Sequence, residues 1–327
     1  MSFYIHIPFC KKKCGYCDFH SFSGREDQID DYVDRLAADI ENMVRPRHVA
    51  ALRSIYIGGG TPTLLSIDHL KRILDPVKTQ CIASPEISIE ANPGTVNKEY
   101  LAELRKLGIN RLSLGAQTFN DNHLKMLGRI HNSQEIYQAV RDARSAGFDN
   151  INLDLIYALP CQTLDEVRFD IKEALSLTPE HLSTYSLQIE KGTPLYRRVS
   201  TRPEDEDLSA DMYEYIIDTL TANGYEHYEI SNFARPGFRC KHNVNYWKNG
   251  NWIGIGDGAK SNEDKEGKNT LFLGLRMLEG LPKEKFAGYE KEVAELRKDG
   301  LLAEENGNYK LTRKGLFLAN LVFEKFV

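Results

Sequence analysis

Strand-like and helix-like segments alternate six times along the N-terminal part of the chain, and this alternation restricts the fold more than any other feature. Short aliphatic and β-branched runs fall at 3–7, 54–57, 86–90, 111–115, 150–155 and 181–189. Helix-period stretches lie between them near 29–43, 67–78, 98–107, 120–127, 134–146 and 164–177. Thr163 and Glu166 have the spacing of a capping box, and Gly108 and Gly147 fall where helices should stop. Parallel strands need crossovers of this length, usually helical. The pattern predicts an α/β fold, a partial (βα)6 barrel two units short of a closed eightfold one.

Barrels of parallel strands gather their chemistry at the C-terminal ends of the strands. The loop after the first strand reads Cys10-Lys-Lys-Lys-Cys14-Gly-Tyr16-Cys17. Three thiolates from one short loop can hold three irons of a cubane iron–sulfur cluster and leave the fourth iron open to a small molecule. A ferredoxin supplies four cysteines per cluster, and a structural zinc site usually closes with four ligands. No fourth cysteine follows, since the next residues are Asp18, Phe19 and His20. The alternatives are three unrelated buried thiols, or a disulfide with a spare; intracellular cysteine clusters more often bind metal. Cys81, Cys161 and Cys240 are scattered, each by default a buried or surface thiol.

Three further polar residues stand at strand ends: Glu90, Gln117 and Asp154. Any one of them reads equally well as a polar terminus bonded to a loop. All three on the edge that carries the cysteines point to a ligand. Gly58-Gly59-Gly60-Thr61-Pro62-Thr63 follows the second strand and lets backbone approach a ligand closely. It has the spacing of neither a dinucleotide fingerprint nor a Walker loop, and alone it would be a tight turn.

A chain of 327 residues suggests two domains, and its 41% hydrophobic and 27% charged residues are ordinary for a soluble protein. No apolar run is long enough to span a bilayer, and the start lacks a basic n-region and cleavage site. The six cysteines fit a reducing cytoplasm, and the net charge of −5 argues against nucleic acid as the main partner. The pattern changes near residue 195: a charged stretch at 197–207, a helix over 207–223 and a strand-like run at 224–230. From 284 a helix, a hairpin over 301–312 turning at Asn306-Gly307-Asn308, and a last helix over 314–326 form a small α+β, winged-helix-like module. The expected division is 1–195 for the barrel, 196–283 for a connecting region and 284–327 for the C-terminal module, whose charge favours a packing or partner role.

Together these motifs resemble the radical S-adenosylmethionine (SAM) superfamily, with its CxxxCxxC signature and an aromatic before the last cysteine. Tyr4-Ile-His-Ile-Pro-Phe-Cys10, Gly58-Gly-Gly-Thr-Pro-Thr63, Ile89-Glu-Ala-Asn-Pro-Gly94, Gly115-Ala-Gln-Thr-Phe119, Leu127-Gly-Arg-Ile-His131 and Asn152-Leu-Asp-Leu-Ile156 resemble the oxygen-independent coproporphyrinogen dehydrogenase (HemN) group. That group includes the HemW-type haem chaperones. The resemblance runs from residue 4 to about 260, and the C-terminal module is also similar. It implies a [4Fe–4S] cluster on Cys10, Cys14 and Cys17, with SAM chelating the open iron through its amino and carboxylate groups. Reduction of such a cluster cleaves SAM to methionine and a 5′-deoxyadenosyl radical. Tyr4, Tyr16, Gly59, Gly60, Thr61, Glu90, Gln117, Arg129 and Asp154 match the SAM-contacting positions of the family. Carboxylates and backbone carbonyls suit an ammonium and ribose hydroxyls, Arg129 suits a carboxylate, and Tyr16 offers a flat face near adenine.

Two departures separate this sequence from the dehydrogenases, which oxidatively decarboxylate propionates of coproporphyrinogen III. They carry a further cysteine where this chain has Phe19, and a long extension before the position of Tyr4. Both departures match the haem-chaperone branch, as does Cys240-Lys-His242-Asn-Val-Asn-Tyr246-Trp247, with the HNxxYW pattern associated with that branch and with haem binding. His242 is the expected axial ligand, with Tyr246 and Trp247 covering a porphyrin face; the plainer reading is a satisfied core histidine beside a hydrophobic pair. Cys240 is an alternative ligand, and His227 ranks lower. Lys260 stands where relatives often have histidine, and the chain is shorter between Ser261 and Leu271 than most relatives.

The resemblance implies haem as cargo, apo-haemoproteins as acceptors (membrane respiratory enzymes among them), an electron donor for the cluster, no nucleic acid, and room for a homodimer. The rival implication is a coproporphyrinogen III oxidase, and a third is another radical-SAM reaction on an unidentified substrate. No residue is assigned a catalytic role from sequence, and whether the chain turns over a substrate stays open.

Overall fold

The computed structural model describes residues 1–44, 52–78, 84–199, 206–262 and 270–327. Cys81, residues 200–205 of the charged stretch and residues 263–269 of the shortened segment lie outside them. The six alternating units are β1 (Ser2–Ile7), α1 (Ile29–Val44), β2 (Ser54–Gly59), α2 (Ile67–Lys78), β3 (Glu86–Ala91), α3 (Lys98–Lys106), β4 (Arg111–Gln117), α4 (Asp121–Leu127) with α5 (Ser133–Ser145), β5 (Ile151–Tyr157), α6 (Leu164–Ser176) and β6 (His181–Ser186). Local chemistry sets their ends. Thr163 and Glu166 form the expected capping box, Asn132 and Glu135 form another, and the chain turns left-handed at Gly108 and Gly147.

The chain continues with α7 (Pro194–Val199), α8 (Glu206–Ala222), β7 (Glu226–Glu229), β8 (Asn232–Ala234), α9 (Lys241–Trp247), β9 (Trp252–Ile255) and α10 (Thr270–Leu275). These elements return to the barrel. The nine-stranded sheet runs β9-β1-β2-β3-β4-β5-β6-β8-β7. Strands β9 and β1 to β6 are parallel, whereas β8 lies antiparallel to both β6 and β7. The sheet begins and ends on different strands, so the barrel stays open. The partial barrel therefore holds, with a parallel strand added beside β1 and a hairpin beside β6; the run at 224–230 is one arm of that hairpin.

Period-2 alternation divides each strand between two environments. Phe3, Ile5, Ile7, Ile55, Ile57, Ile87, Ile89, Leu112 and Leu114 are buried in one core with the helices. The amphipathic α1 meets that core with Ile29, Tyr32, Val33, Leu36 and Ile40. Each such aliphatic side chain contributes roughly 1.5–3 kcal/mol on burial, so the helical layer holds the barrel together. The alternate residues, Tyr4, His6, Tyr56, Ser88, Glu90, Arg111, Ser113, Asn152, Asp154, His181 and Ser183, give the concave face a polar lining.

The C-terminal module is a three-stranded antiparallel sheet of β10 (Leu281–Pro282), β11 (Leu302–Glu305) and β12 (Asn308–Leu311), with α11 (Glu290–Lys298), α12 (Arg313–Phe317) and α13 (Ala319–Phe323). The hairpin turns at Asn306 and Gly307, both with positive φ, as expected. The single helix expected over 314–326 is instead two short helices meeting at Leu318 and a final 3₁₀ turn. Phe286, Tyr289 and Phe326 pack edge to face, and Arg313 pairs with Glu214 and Asp218 of α8.

Candidate functional site

The cysteine loop is tied at its middle to two other loops. Gly15 N–H donates to Leu127 O (2.8 Å), and Leu195 N–H donates to Gly15 O (2.7 Å). The glycine-rich loop after β2 zips to the chain entering the motif, with Gly60 N–H on Ile7 O and Thr61 N–H on Phe9 O, both at 2.7 Å. Thr61 Oγ1 lies 3.7 Å from Cys10 Sγ. A Cβ on Gly60 would stand 2.5 Å from Phe9 O and 3.0 Å from Cys10 Sγ, so only glycine fits there. At Gly59, φ is +115°, and a Cβ would stand 2.6 Å from the His6 ring.

Behind this loop lie the strand-end polar residues. Glu90 accepts from Gly59 N–H and from the Tyr56 hydroxyl, each at 2.9 Å. Burial, and then the neighbouring Asp154, push its carboxyl up to about 7. Asp154 accepts from Ser113 Oγ (3.1 Å) and Asn152 Nδ2 (2.8 Å), and burial raises it too. Gln117 has a φ of +67° beyond an irregularity in the β4–β5 register, a bulge that re-aims its side chain. Arg129 donates Nη1 to Cys14 Sγ (3.3 Å) and Nη2 to Gly115 O (2.8 Å), while its buried Nε has no partner. Tyr16 sits beside Arg129, Cys14 and Cys17, and Tyr4 hydrogen-bonds His6 Nδ1 (3.1 Å) beside Glu90. Tyr16, Gly60, Thr61 and Arg129 thus stand against the cysteines, Gly59, Glu90 and Asp154 lie behind them, Gln117 ends β4, and Tyr4 lies deeper, level with Tyr56.

The residues fit an iron–sulfur cluster: Cys10, Cys14 and Cys17 are thiols carried on one short loop. A cubane takes one thiolate per iron and needs thiols spaced apart on a common loop. The residues also fit an amino-acid-bearing ligand beside it: the orphan Nε of Arg129 suits a carboxylate, Glu90 and Asp154 suit an ammonium or hydroxyls, and the side-chain-free Gly59–Gly60 backbone leaves room.

Sequence reasoning missed Tyr56, His6 and Arg111. Tyr56 carries Glu90, and His6 Nε2 meets His20 O (2.8 Å) just past the motif. Arg111 is 2% exposed, and its Nε has no partner. The signal was available: each lies on the concave side by strict alternation with Tyr4, Gly58 or Ser113.

The HNxxYW segment closes the opposite end of the barrel. Cys240 is the N-cap of α9 and is fully buried, its thiol pushed up to about 11 by burial. Glu86, at the start of β3, accepts from Lys241 N–H (2.9 Å) and so holds the N-terminus of α9. His242 is 7% exposed, with Nδ1 3.3 Å from Ser54 Oγ and its ring 5.2 Å from Tyr56 and 6.2 Å from Tyr4. Burial holds its imidazole neutral, down to about 4. Tyr246 packs on Trp247 and Trp252, and the Arg276 guanidinium covers the Trp247 ring at 4.3 Å. In this conformation His242 packs against Ser54, Tyr4 and Tyr56, while Tyr246 and Trp247 pack on each other and stay partly exposed. His227 is half-buried and stacks on Phe233 at 4.2 Å.

An open (βα) barrel with a three-cysteine loop at the C-terminal mouth defines a radical-SAM protein, and the Radical SAM superfamily model matches residues 4–174. The HemN C-terminal domain model matches residues 263–318. The heme chaperone HemW of Lactococcus lactis subsp. lactis is 39% identical, across 100% of this chain and 97% of that protein. That alignment spans 371 positions, so the relative carries residues with no counterpart in this sequence. The heme chaperone HemW of Escherichia coli is 44% identical over 79% of this chain and 69% of its own length, and that of Bacillus subtilis 34% over 100% and 99%. Coproporphyrinogen III oxidase (HemN) from Escherichia coli, described as a radical SAM enzyme, superposes with a TM-score of 0.80 at 25% identity, covering 99% of this chain and 89% of that one. The chain belongs to the radical SAM superfamily and, within it, to the family of these HemW relatives.

Proposed function

We propose that the chain is a haem chaperone, binding haem and handing it to apo-haemoproteins. The observation that carries this is the full-length relationship to proteins named heme chaperone HemW. Phe19 agrees with it: two residues after the last cysteine stands an exposed phenylalanine (65%) where the porphyrinogen-oxidising relatives are expected to carry a further cysteine.

In this reading Cys10, Cys14 and Cys17 hold the [4Fe–4S] cluster, and Tyr4, Tyr16, Gly59, Gly60, Thr61, Glu90, Gln117, Arg129 and Asp154 hold SAM. When bound, the cluster supplies an electron to SAM. The chain's own residues bind and orient: Arg129 pairs with the ligand carboxylate while fixing the Cys14 sulfur, and Glu90 with Asp154 receives the ammonium and hydroxyls. His242, Tyr246 and Trp247 are the proposed haem segment, and haem reaches His242 only when α9 leaves the barrel floor. Among the described residues no helix is long and apolar enough to cross a membrane. We place the chain in the cytoplasm, with membrane-bound respiratory enzymes among its acceptors and a protein electron donor for the cluster.

Two anaerobic incubations of the cluster-loaded chain test the proposal: one with haem, one with coproporphyrinogen III, SAM and a reductant. A haem chaperone develops a haem absorption band and leaves the porphyrinogen unchanged. Conversion to protoporphyrinogen without haem binding would establish the rival oxidase.

A further inference from the structure

Two tyrosines on neighbouring strands span the barrel between its ends. Tyr4 and Tyr56 are direct partners in the β1–β2 register and stack at 6.2 Å. Below them both rings face His242, which is anchored by Ser54, two residues before Tyr56 on the same strand. Above them their hydroxyls diverge. Tyr4 meets His6, whose Nε2 meets His20 O beyond the cysteine motif, whereas Tyr56 donates to Glu90. Glu90 in turn accepts from Gly59 N–H, in the glycine-rich loop whose next residues are zipped to the chain entering the motif.

We propose that Tyr56 is a positioning residue that couples α9 to the SAM end of the barrel: its ring rests against His242, and its hydroxyl sets the orientation of Glu90. The inference rests on the proposed function for its two ligands. A half-buried phenol held between a histidine ring and a carboxylate passes a shift at one end to the other. Release of α9 removes the support on one side of the Tyr56 ring and loosens its hold on Glu90, so the SAM end and the haem segment bias one another. Coupling of this kind is reciprocal for binding free energies. Tyr56 itself touches neither cluster nor cargo.

The electrostatics supply a readout that packing alone would not move. Glu90 is faced by Asp154 on β5, Arg111 on β4, Tyr4 on β1 and Tyr185 on β6, besides Gly59 and Tyr56. Burial and Asp154 raise its pKa; Gly59 N–H, the Tyr56 hydroxyl and Arg111 oppose that rise. Loss of the hydroxyl removes one of the donors favouring the carboxylate, and the titration moves up.

The test is SAM binding to the anaerobic, cluster-loaded full-length chain across pH 6–9, in wild type, Tyr56→Phe, His242→Ala, the double variant and Glu90→Gln. Tyr56→Phe keeps the ring and its stacking. It should weaken SAM binding by about tenfold, the effect of one hydrogen bond to a charged group, and raise the pH midpoint of binding with iron content unchanged. His242→Ala should weaken SAM binding in wild type and have no further effect in Tyr56→Phe. An unchanged SAM affinity and midpoint in Tyr56→Phe would overturn the inference, as would additive effects of the two substitutions, while Glu90→Gln reports that SAM occupies this site. A wild-type chain that binds no SAM would overturn the proposed site itself, and the coupling with it.

Discussion

Arg129 donates one guanidinium nitrogen to the sulfur of Cys14 at 3.3 Å while its buried Nε has no partner. The side chain stands between the cysteine loop and the strand ends, with a fixed charge on one side and an unfilled donor on the other. Lysine would supply the charge but not the planar fork. Arg129→Lys should therefore weaken SAM binding by 10- to 100-fold (about 1.5–3 kcal/mol for a charge-assisted hydrogen bond) with iron retained at near wild-type levels. Anaerobic SAM titration alongside iron analysis checks this.

Gly60→Ala should damage the cluster loop itself. The added methyl would meet Phe9 O at 2.5 Å, a backbone atom held by its hydrogen bond to Thr61 N–H. Overpacking of this kind costs about 1–3 kcal/mol, and here the strain falls on Cys10. The expected result is a lower melting temperature and substoichiometric iron and sulfide after reconstitution, whereas Gly147→Ala, at a remote left-handed turn, should lower the melting temperature without loss of iron.

Glu86→Ala should free α9. The carboxylate accepts from the first helical N–H at 2.9 Å, and α9 is short and has no side-chain cap of its own. Loss of such a terminal contact costs roughly 0.5–2 kcal/mol. Amide exchange over 241–247 should accelerate several-fold, and haem uptake should quicken if α9 must leave the floor to receive it. Hydrogen exchange and stopped-flow haem binding measure the two effects.

Two titratable groups should give stability opposite slopes with pH. Burial holds His227 at about 4 against an ordinary 6.5, so the folded state binds its proton less readily. Its contribution is complete above 6.5 and is lost as pH falls toward 4. Burial raises Asp170, hydrogen-bonded by Thr118 and Phe119, from 3.8 to about 7, so its contribution is complete below 3.8 and is lost as pH rises through 7. Anaerobic urea unfolding at several pH values should show His227→Phe flattening the acid limb and Asp170→Asn flattening the approach to neutrality.

What could be read from sequence and what could not divide along physical lines. Glu90, Gln117 and Asp154 were legible as strand-end polar residues because parallel strands leave their C-terminal ends on one side, and the loop of Cys10, Cys14 and Cys17 because its spacing is local. Strand β9 was not: four residues flanked by glycine turns gain strand character only by pairing with β1, some 250 residues earlier in the chain. Tyr56 and Arg111 were passed over because they lie below the strand ends, although alternation put them on the concave side. His242 was recognised by its motif, but its surroundings, Ser54, Tyr4 and Tyr56, come from strands distant in sequence, and no local pattern records that contact.

The most direct test of the account is haem hand-over. The cluster-loaded chain, charged with haem and freed of excess, is mixed anaerobically with an apo-haemoprotein, and the haem spectra of donor and acceptor are followed with time. The account predicts that haem leaves the chain and appears in the acceptor, faster than release to buffer alone. A chain that takes up no haem, or whose haem reaches the acceptor no faster than free haem released by dissociation, would contradict it.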